Sequence, residues 1–279
     1  MTGGLQRAEV INRDLARVAQ QLGLGFGFGS MRPLLQHGIE LGYRVRDVAP
    51  DVPLLGNLGV VQARDASDQQ LVDLVGLTEV DALAVHLNPA QEVVQAGGDT
   101  DFRGGLDTFA RLGELLDIPV LAKETGCGLS RAVADRLVAA GVRWVDTGGA
   151  GGTSWVGVET LRARAATQRL GELYWDWGIP TAASVLQLSG TGLRVIATGG
   201  VSSGLDIARA VVLGADAAGM ARPFLQAWNR GGFEGALGLG AELIHELRVA
   251  MLLTGSADID ALQRAPRQLG PDLRGWEPG

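Results

Sequence analysis

Four side chains able to bind, orient or move a proton fall within seven residues, His86-Leu-Asn88-Pro-Ala-Gln91-Glu92. The apolar run before them reads as a buried strand, and its period of two puts His86 and Asn88 on one face. Pro89 then starts a loop that holds Gln91 and Glu92. Glu92 offers a hard oxygen ligand and Gln91 a neutral donor and acceptor, a pairing that suits Mg²⁺ shared with a diphosphate. A capped loop with a hydrogen-bonded histidine would use the same residues. A second chemical signal is compositional: of 24 Lys+Arg, 23 are arginine and the only lysine is Lys123. Its retention points to a compact ammonium that a planar guanidinium cannot imitate. Lys123 and Glu124 are the charged last residues of the strand-like run Pro119–Glu124, and neighbours on a strand face opposite sides. A third signal is Gly199-Gly200, after the β-branched run Val195–Thr198. Backbone N–H groups there and at the next short element would converge on an anion, as in the phosphate site after the last two strands of a (β/α)8 barrel. An ordinary βαβ turn has the same glycines. Cys127 has no evident base or basic neighbour and reads as an inert filler. His245 reads as a helix-face residue.

These groups need a scaffold that brings strand ends together. Strand candidates fall at 24–28, 53–57, 81–87, 119–123, 142–147, 194–198 and 216–220, mostly alternating with helical patterns. The expected fold is therefore α/β, a (β/α)8 TIM barrel lacking one strand at the N-terminus, as a single domain over 1–279. Ile11, Leu15, Val18 and Leu22 predict a first helix closed by Gly23, and Ser130 and Ser203 predict helix caps. The first strand delivers Ser30 and Arg32 to a loop, and the second ends at Asn57. Thr147–Trp155 reads as a lid or a long turn, and Ala236–Leu253 as a closing helix.

Composition bounds the partners. Hydrophobic residues at 46%, charged residues at 20% and no apolar run of about 18 describe a globular chain. The single cysteine excludes an internal disulfide, and no basic leader is read, so a cytoplasmic location is expected. A net charge of −7 without a basic cluster argues against nucleic acid and anionic membrane.

Met-Thr-Gly-Gly at 1–4, Gly-Ser-Met-Arg at 29–32, His-Leu-Asn-Pro-Ala-Gln-Glu at 86–92, Lys-Glu at 123–124, Gly-Gly-Ala-Gly-Gly-Thr at 148–153 and Trp-Asp-Trp-Gly-Ile-Pro-Thr-Ala at 175–182 recur in order. Together with the closing Gly-Gly pair, they resemble type 2 isopentenyl diphosphate isomerase along nearly the whole chain. The resemblance implies an FMN-dependent barrel enzyme that needs Mg²⁺, is reduced by NADPH and interconverts isopentenyl and dimethylallyl diphosphate without net redox. It implies FMN contacts at Thr2, Gly3, Ser30, Asn57, Lys123, Thr153, Gly199, Gly200, Ala221 and Arg222. It further implies substrate contacts at Ser30, Arg32, His86, Asn88 and Gln91, and Mg²⁺ on Glu92. Gln91, His86 and Lys123 are the implied catalytic residues, with proton transfer at the flavin N5. A homotetramer or homo-octamer is implied as well. Three departures stand out. Met31 replaces a glutamine, which would remove an amide near the substrate, and Gly148 replaces a serine. The chain also opens at Met1 without the family's first strand. Two other classes fit parts of the pattern: a shortened, weakly active or non-catalytic FMN or prenyl-phosphate binding homologue, and another FMN barrel oxidoreductase. A hydroxy-acid oxidase would need a His and Arg pair after a late strand, and an inosine-type dehydrogenase a cysteine later than Cys127. Neither is present in the sequence.

Overall fold

A computed structural model of the chain describes residues 6–277. All seven expected strands form: β1 Phe26–Gly27, β2 Leu54–Gly59, β3 Ala82–Leu87, β4 Val120–Glu124, β5 Trp144–Asp146, β6 Arg194–Ala197 and β7 Ala217–Ala218. Their order in the sheet is that of the chain, and every pairing given by residue register is parallel. Parallel neighbours require a crossover between them, and helices fill these positions. No helix among the described residues is long and apolar enough to cross a membrane. The residues group into two compact units.

The first unit contains the chain through His86, with Gly104–Leu121 and Ala221–Glu242. Its opening helix, Gln6–Leu22, ends where Gly23 turns to φ 66. The helix Asp68–Thr78 starts at a capping box, in which Ser67 and Gln70 each bond the other's backbone. Parallel register sets Asn57 beside Ala84 and Gly59 beside His86, so the carboxyl ends of β2 and β3 lie level. Tyr43, Leu54, Leu58, Leu71, Leu83 and Leu112 are buried to within 1% and form the core. Met31 belongs to that core. It is wholly buried, and a methyl built on Gly56 would lie 2.9 Å from its Cε. Met31 is therefore a packing residue of this unit.

The second unit holds Leu87–Arg103, Ala122–Met220 and Leu243 onward. In the parallel register of β5, β6 and β7, Val145 is paired with Val195 and Ala197 with Ala218, all short or β-branched residues of a covered sheet. Ser130 and Ser203 cap Arg131–Ala139 and Gly204–Leu213 by accepting the N–H groups of Val133 and Asp206. The helix Ile259–Gln263 packs on the second of these around Ala208, Val211 and Leu262.

Three local expectations change. Pro89–Glu92 is a helical turn instead of a loop, because proline at the first helical position presets φ and gives up an N–H that would have no helical partner. Most of Thr147–Trp155 is irregular, but Trp155 opens the helix Trp155–Thr160, capped by Ser154, and Ala165–Leu173 adds another. The closing helix begins earlier, at Arg222, and runs to Leu253 with a break at Gly231-Gly232. We expect Met31→Gln to lower stability by about 1–3 kcal/mol, the cost of burying an amide in an apolar pocket, measured by urea unfolding.

Candidate active site

Three polar side chains of the second unit, at or just beyond the ends of β4, β5 and β6, meet. Lys123, the fourth residue of β4, places Nζ 2.8 Å from Oδ2 of Asp146, the last residue of β5. The same ammonium donates to Thr198 Oγ1, just beyond β6, at 3.4 Å. The Thr198 hydroxyl donates to Asp146 Oδ1, which also accepts the Gly148 N–H at 3.0 Å. Asp146 is 8% exposed. Asp146 and Thr198 carried no functional reading in the sequence, although the strand-end rule that marked Lys123 applies equally to Asp146.

The glycine pair follows directly. Gly199 and Gly200 have φ 105 and 82, and a methyl on Gly200 would sit 2.5 Å from the Gly151 carbonyl oxygen. Thr181 Oγ1 donates to the Gly199 carbonyl at 2.6 Å, and Gly149 N–H to the Thr198 carbonyl at 2.8 Å. The loops after β5 and β6 are thus held backbone to backbone. Among the described residues the N–H groups of Gly199 and Gly200 donate to no protein acceptor. Both are therefore available as backbone donors to an anion. Thr153 lies in the same segment, with its carbonyl oxygen near Gly126.

Asn88, Gln91 and Glu92 form a third group in this unit, each 8–9% exposed. The Asn88 amide donates to Glu92 Oε1 at 2.6 Å and reaches Gln91 Oε1 at 3.4 Å. Glu92 Oε2 accepts the Asp99 N–H at 2.7 Å. Each carboxylate oxygen keeps a second lone pair, so Glu92 can still ligate a hard cation. Among the described residues no cluster of three or more His, Cys, Asp or Glu could hold a metal. Of Asn88, Gln91 and Glu92, Glu92 is the one that could offer a carboxylate oxygen to a hard cation.

A small cleft opens beside these residues, lined by Asn88, Gln91, Glu124, Cys127, Trp155 and Trp177 among others. Glu124 is its buried charge, accepting the N–H groups of Cys127 and, at 3.2 Å, Gly128. Burial pushes its carboxyl up to about 7, outweighing the N–H donors that pull it down. Burial and then the Glu124 charge push the Cys127 thiol up to about 12, so the inert reading of that residue fits its surroundings.

In the first unit, His86 Nδ1 lies 2.8 Å from Asn57 Oδ1, and Asn57 Nδ2 donates to the Phe28 carbonyl at 3.2 Å. With its NH₂ so engaged, Asn57 presents oxygen to the imidazole. A neutral His86 is then protonated at Nδ1, which makes Nε2 the acceptor. Ser30 accepts the Tyr43 hydroxyl on its carbonyl at 2.6 Å and the Arg32 N–H on Oγ at 3.4 Å. Arg32 donates to Gln36 at 2.9 Å. Ala221 and Arg222 are exposed at the start of the helix Arg222–Leu253. Thr2 and Gly3 lie outside the described residues.

The family model for FMN-dependent dehydrogenases matches residues 29–268. A protein of Synechococcus sp. named isopentenyl-diphosphate delta-isomerase is 48% identical over 273 residues, covering 95% of this chain and 77% of that one. A protein of the same name from Halobacterium salinarum is 44% identical over 272 residues, covering 95% and 75%. This chain belongs to the type 2 isopentenyl-diphosphate isomerase family. The fold of that family member is also that of mandelate oxidase, which it matches with a TM-score of 0.63 at 19% identity, over 93% of this chain and 74% of that one. The sheet described above is accordingly of the (β/α)8 class, with seven strands among the described residues of this type 2 isomerase homologue.

Two outcomes follow from this geometry. Gly190 shares a positive φ of 74 but has open space around it. Gly190→Ala should therefore cost only left-handed strain, roughly 1 kcal/mol. Gly200→Ala should cost about 3 kcal/mol, because a carbonyl must also move; urea unfolding of both variants measures the gap. Glu124 binds its proton more tightly folded than unfolded, since its carboxyl rises from 4.5 to about 7. Its contribution is fully present below the ordinary carboxylate value and is lost as pH rises through about 7. The loss amounts to about 3 kcal/mol, and Glu124→Gln should flatten this dependence in unfolding curves taken from pH 4.5 to 8.

Proposed function

We propose that the protein is an FMN- and Mg²⁺-dependent isomerase that interconverts isopentenyl and dimethylallyl diphosphate, with NADPH as reductant. The observation that carries this reading is 41–48% identity, over nearly the whole chain, to proteins named isopentenyl-diphosphate delta-isomerase. The polar ends of β4, β5 and β6 support it, because parallel barrels keep their chemistry at that end.

Lys123, Thr153, Gly199 and Gly200 would hold FMN, the glycine N–H groups taking its phosphate and Lys123 an acceptor on its ring. Ser30, Asn57, Ala221, Arg222, Thr2 and Gly3 are assigned to FMN on the motif resemblance alone. Reduced FMN supplies a site that takes up and returns a proton at N5. Moving a double bond requires a proton added at one carbon and another removed from its neighbour. Gln91, with its amide beside Asn88 on the cleft wall, orients the reacting carbons. Trp155 and Trp177 give the cleft apolar surface that keeps water from a carbocation-like centre. Glu92 would hold Mg²⁺, which would offset the charge of the diphosphate. Arg32, Asn88 and Ser30 bind substrate, together with His86, whose ring Asn57 orients through Nδ1. The cytoplasm and a homo-oligomer complete the proposal.

The family model's description favours one other reading, an FMN-dependent oxidoreductase. Incubation of FMN-loaded, reduced protein with Mg²⁺ and isopentenyl diphosphate separates the two. Proton NMR should show dimethylallyl diphosphate with no net consumption of reductant; stoichiometric reductant loss would favour the oxidoreductase, and no product would overturn the isomerase. Glu92→Gln should raise the Mg²⁺ needed for half-maximal rate more than about tenfold, since losing even an outer partner of a metal ligand costs that much.

A further inference from the structure

The group that sets Lys123 in place has no role in the proposal above. An ammonium has three N–H donors. Two are taken, by Asp146 Oδ2 at 2.8 Å and Thr198 Oγ1 at 3.4 Å, and among the described residues no third protein acceptor is present. Asp146 is itself fixed, because its other oxygen accepts both the Thr198 hydroxyl and the Gly148 N–H. The Thr198 hydroxyl also accepts the Gly148 N–H at 3.1 Å, and its backbone N–H donates to Thr147 Oγ1 at 3.1 Å. Lys123 is flexible by nature, with four rotatable carbons and a charge that rotates freely. Here both acceptors stand on strand ends that hydrogen-bond to each other.

We propose that Asp146, braced by Thr198, is the positioning residue of Lys123, which it holds with one N–H directed at a single acceptor on the flavin. This rests on the FMN reading. The side chains of β4, β5 and β6 would then act as one unit, in which Asp146 itself touches no ligand. Asp146→Asn tests the idea sharply. Because Oδ1 is committed to Thr198 and Gly148, the new NH₂ must face the ammonium, so a partner that attracts Lys123 becomes one that repels it.

The test is a double-mutant cycle on FMN affinity, measured by fluorescence titration of the full chain, with Lys123→Met as the second change. Asp146→Asn should weaken FMN binding on the order of tenfold in the Lys123 background and leave it unchanged in the Lys123→Met background. Equal weakening in both backgrounds would make Asp146 a merely structural residue, and unchanged or tighter binding in the Lys123 background would also overturn the proposal. Should Asp146→Asn fail to fold, Thr198→Val removes one acceptor at constant shape and carries the same cycle with a smaller expected effect. The single lysine gives a readout independent of flavin. Protein labelled with ¹⁵N-lysine has one side-chain amine, and its NH₃⁺ cross-peak should be resolved in the flavin-free wild type and lost in Asp146→Asn. A chain that binds no FMN but shows this loss would refute the FMN reading and keep the positioning role; an unchanged cross-peak would refute the positioning role itself.

Discussion

One carbonyl ties the loops of the second unit together. The Gly148 oxygen accepts the N–H of Gly126 at 2.6 Å and that of Gly128 at 3.2 Å, so the turn after β4 hangs on the turn after β5. The turn after β6 joins through Gly149 N–H on the Thr198 carbonyl. Backbone can approach backbone this closely only where side chains are absent, which is why glycines crowd Gly126–Gly128, Gly148–Gly152 and Gly199-Gly200. The functional side chains sit at the edges of this contact and inherit its rigidity.

Electrostatics follow from the same construction. Closing the loops buries Glu124 next to Cys127 and brings Asp146 under Lys123, so one carboxylate is raised toward neutrality while the other has a cation beside it. Two acids a short distance apart along the fold thus answer to different forces, desolvation in one and an ion pair in the other. The site combines a carboxylate paired with an ammonium and a carboxylate whose charge burial disfavours.

Much of this was legible in the sequence. Seven short apolar or β-branched runs located seven strands, because a covered parallel strand needs continuous apolar character and leaves little room for other readings. Ser130 and Ser203 were legible because caps are local chemistry. Lys123 stood out through composition alone. Its partners did not, since Asp146 lies 23 residues away and Thr198 75, and only the order of strands brings them together. The turn at Pro89 was misjudged for a different reason: proline starts both loops and helices, and four residues give no periodicity to choose between them.

Gly148 also couples two loops. Its φ is 45, and a methyl there would strike the Glu124 carbonyl oxygen and the Thr125 nitrogen, both backbone atoms that cannot rotate aside. Any side chain introduced at this position has to displace the turn after β4 along with its own. Redesign of either turn therefore has to treat the two as one piece.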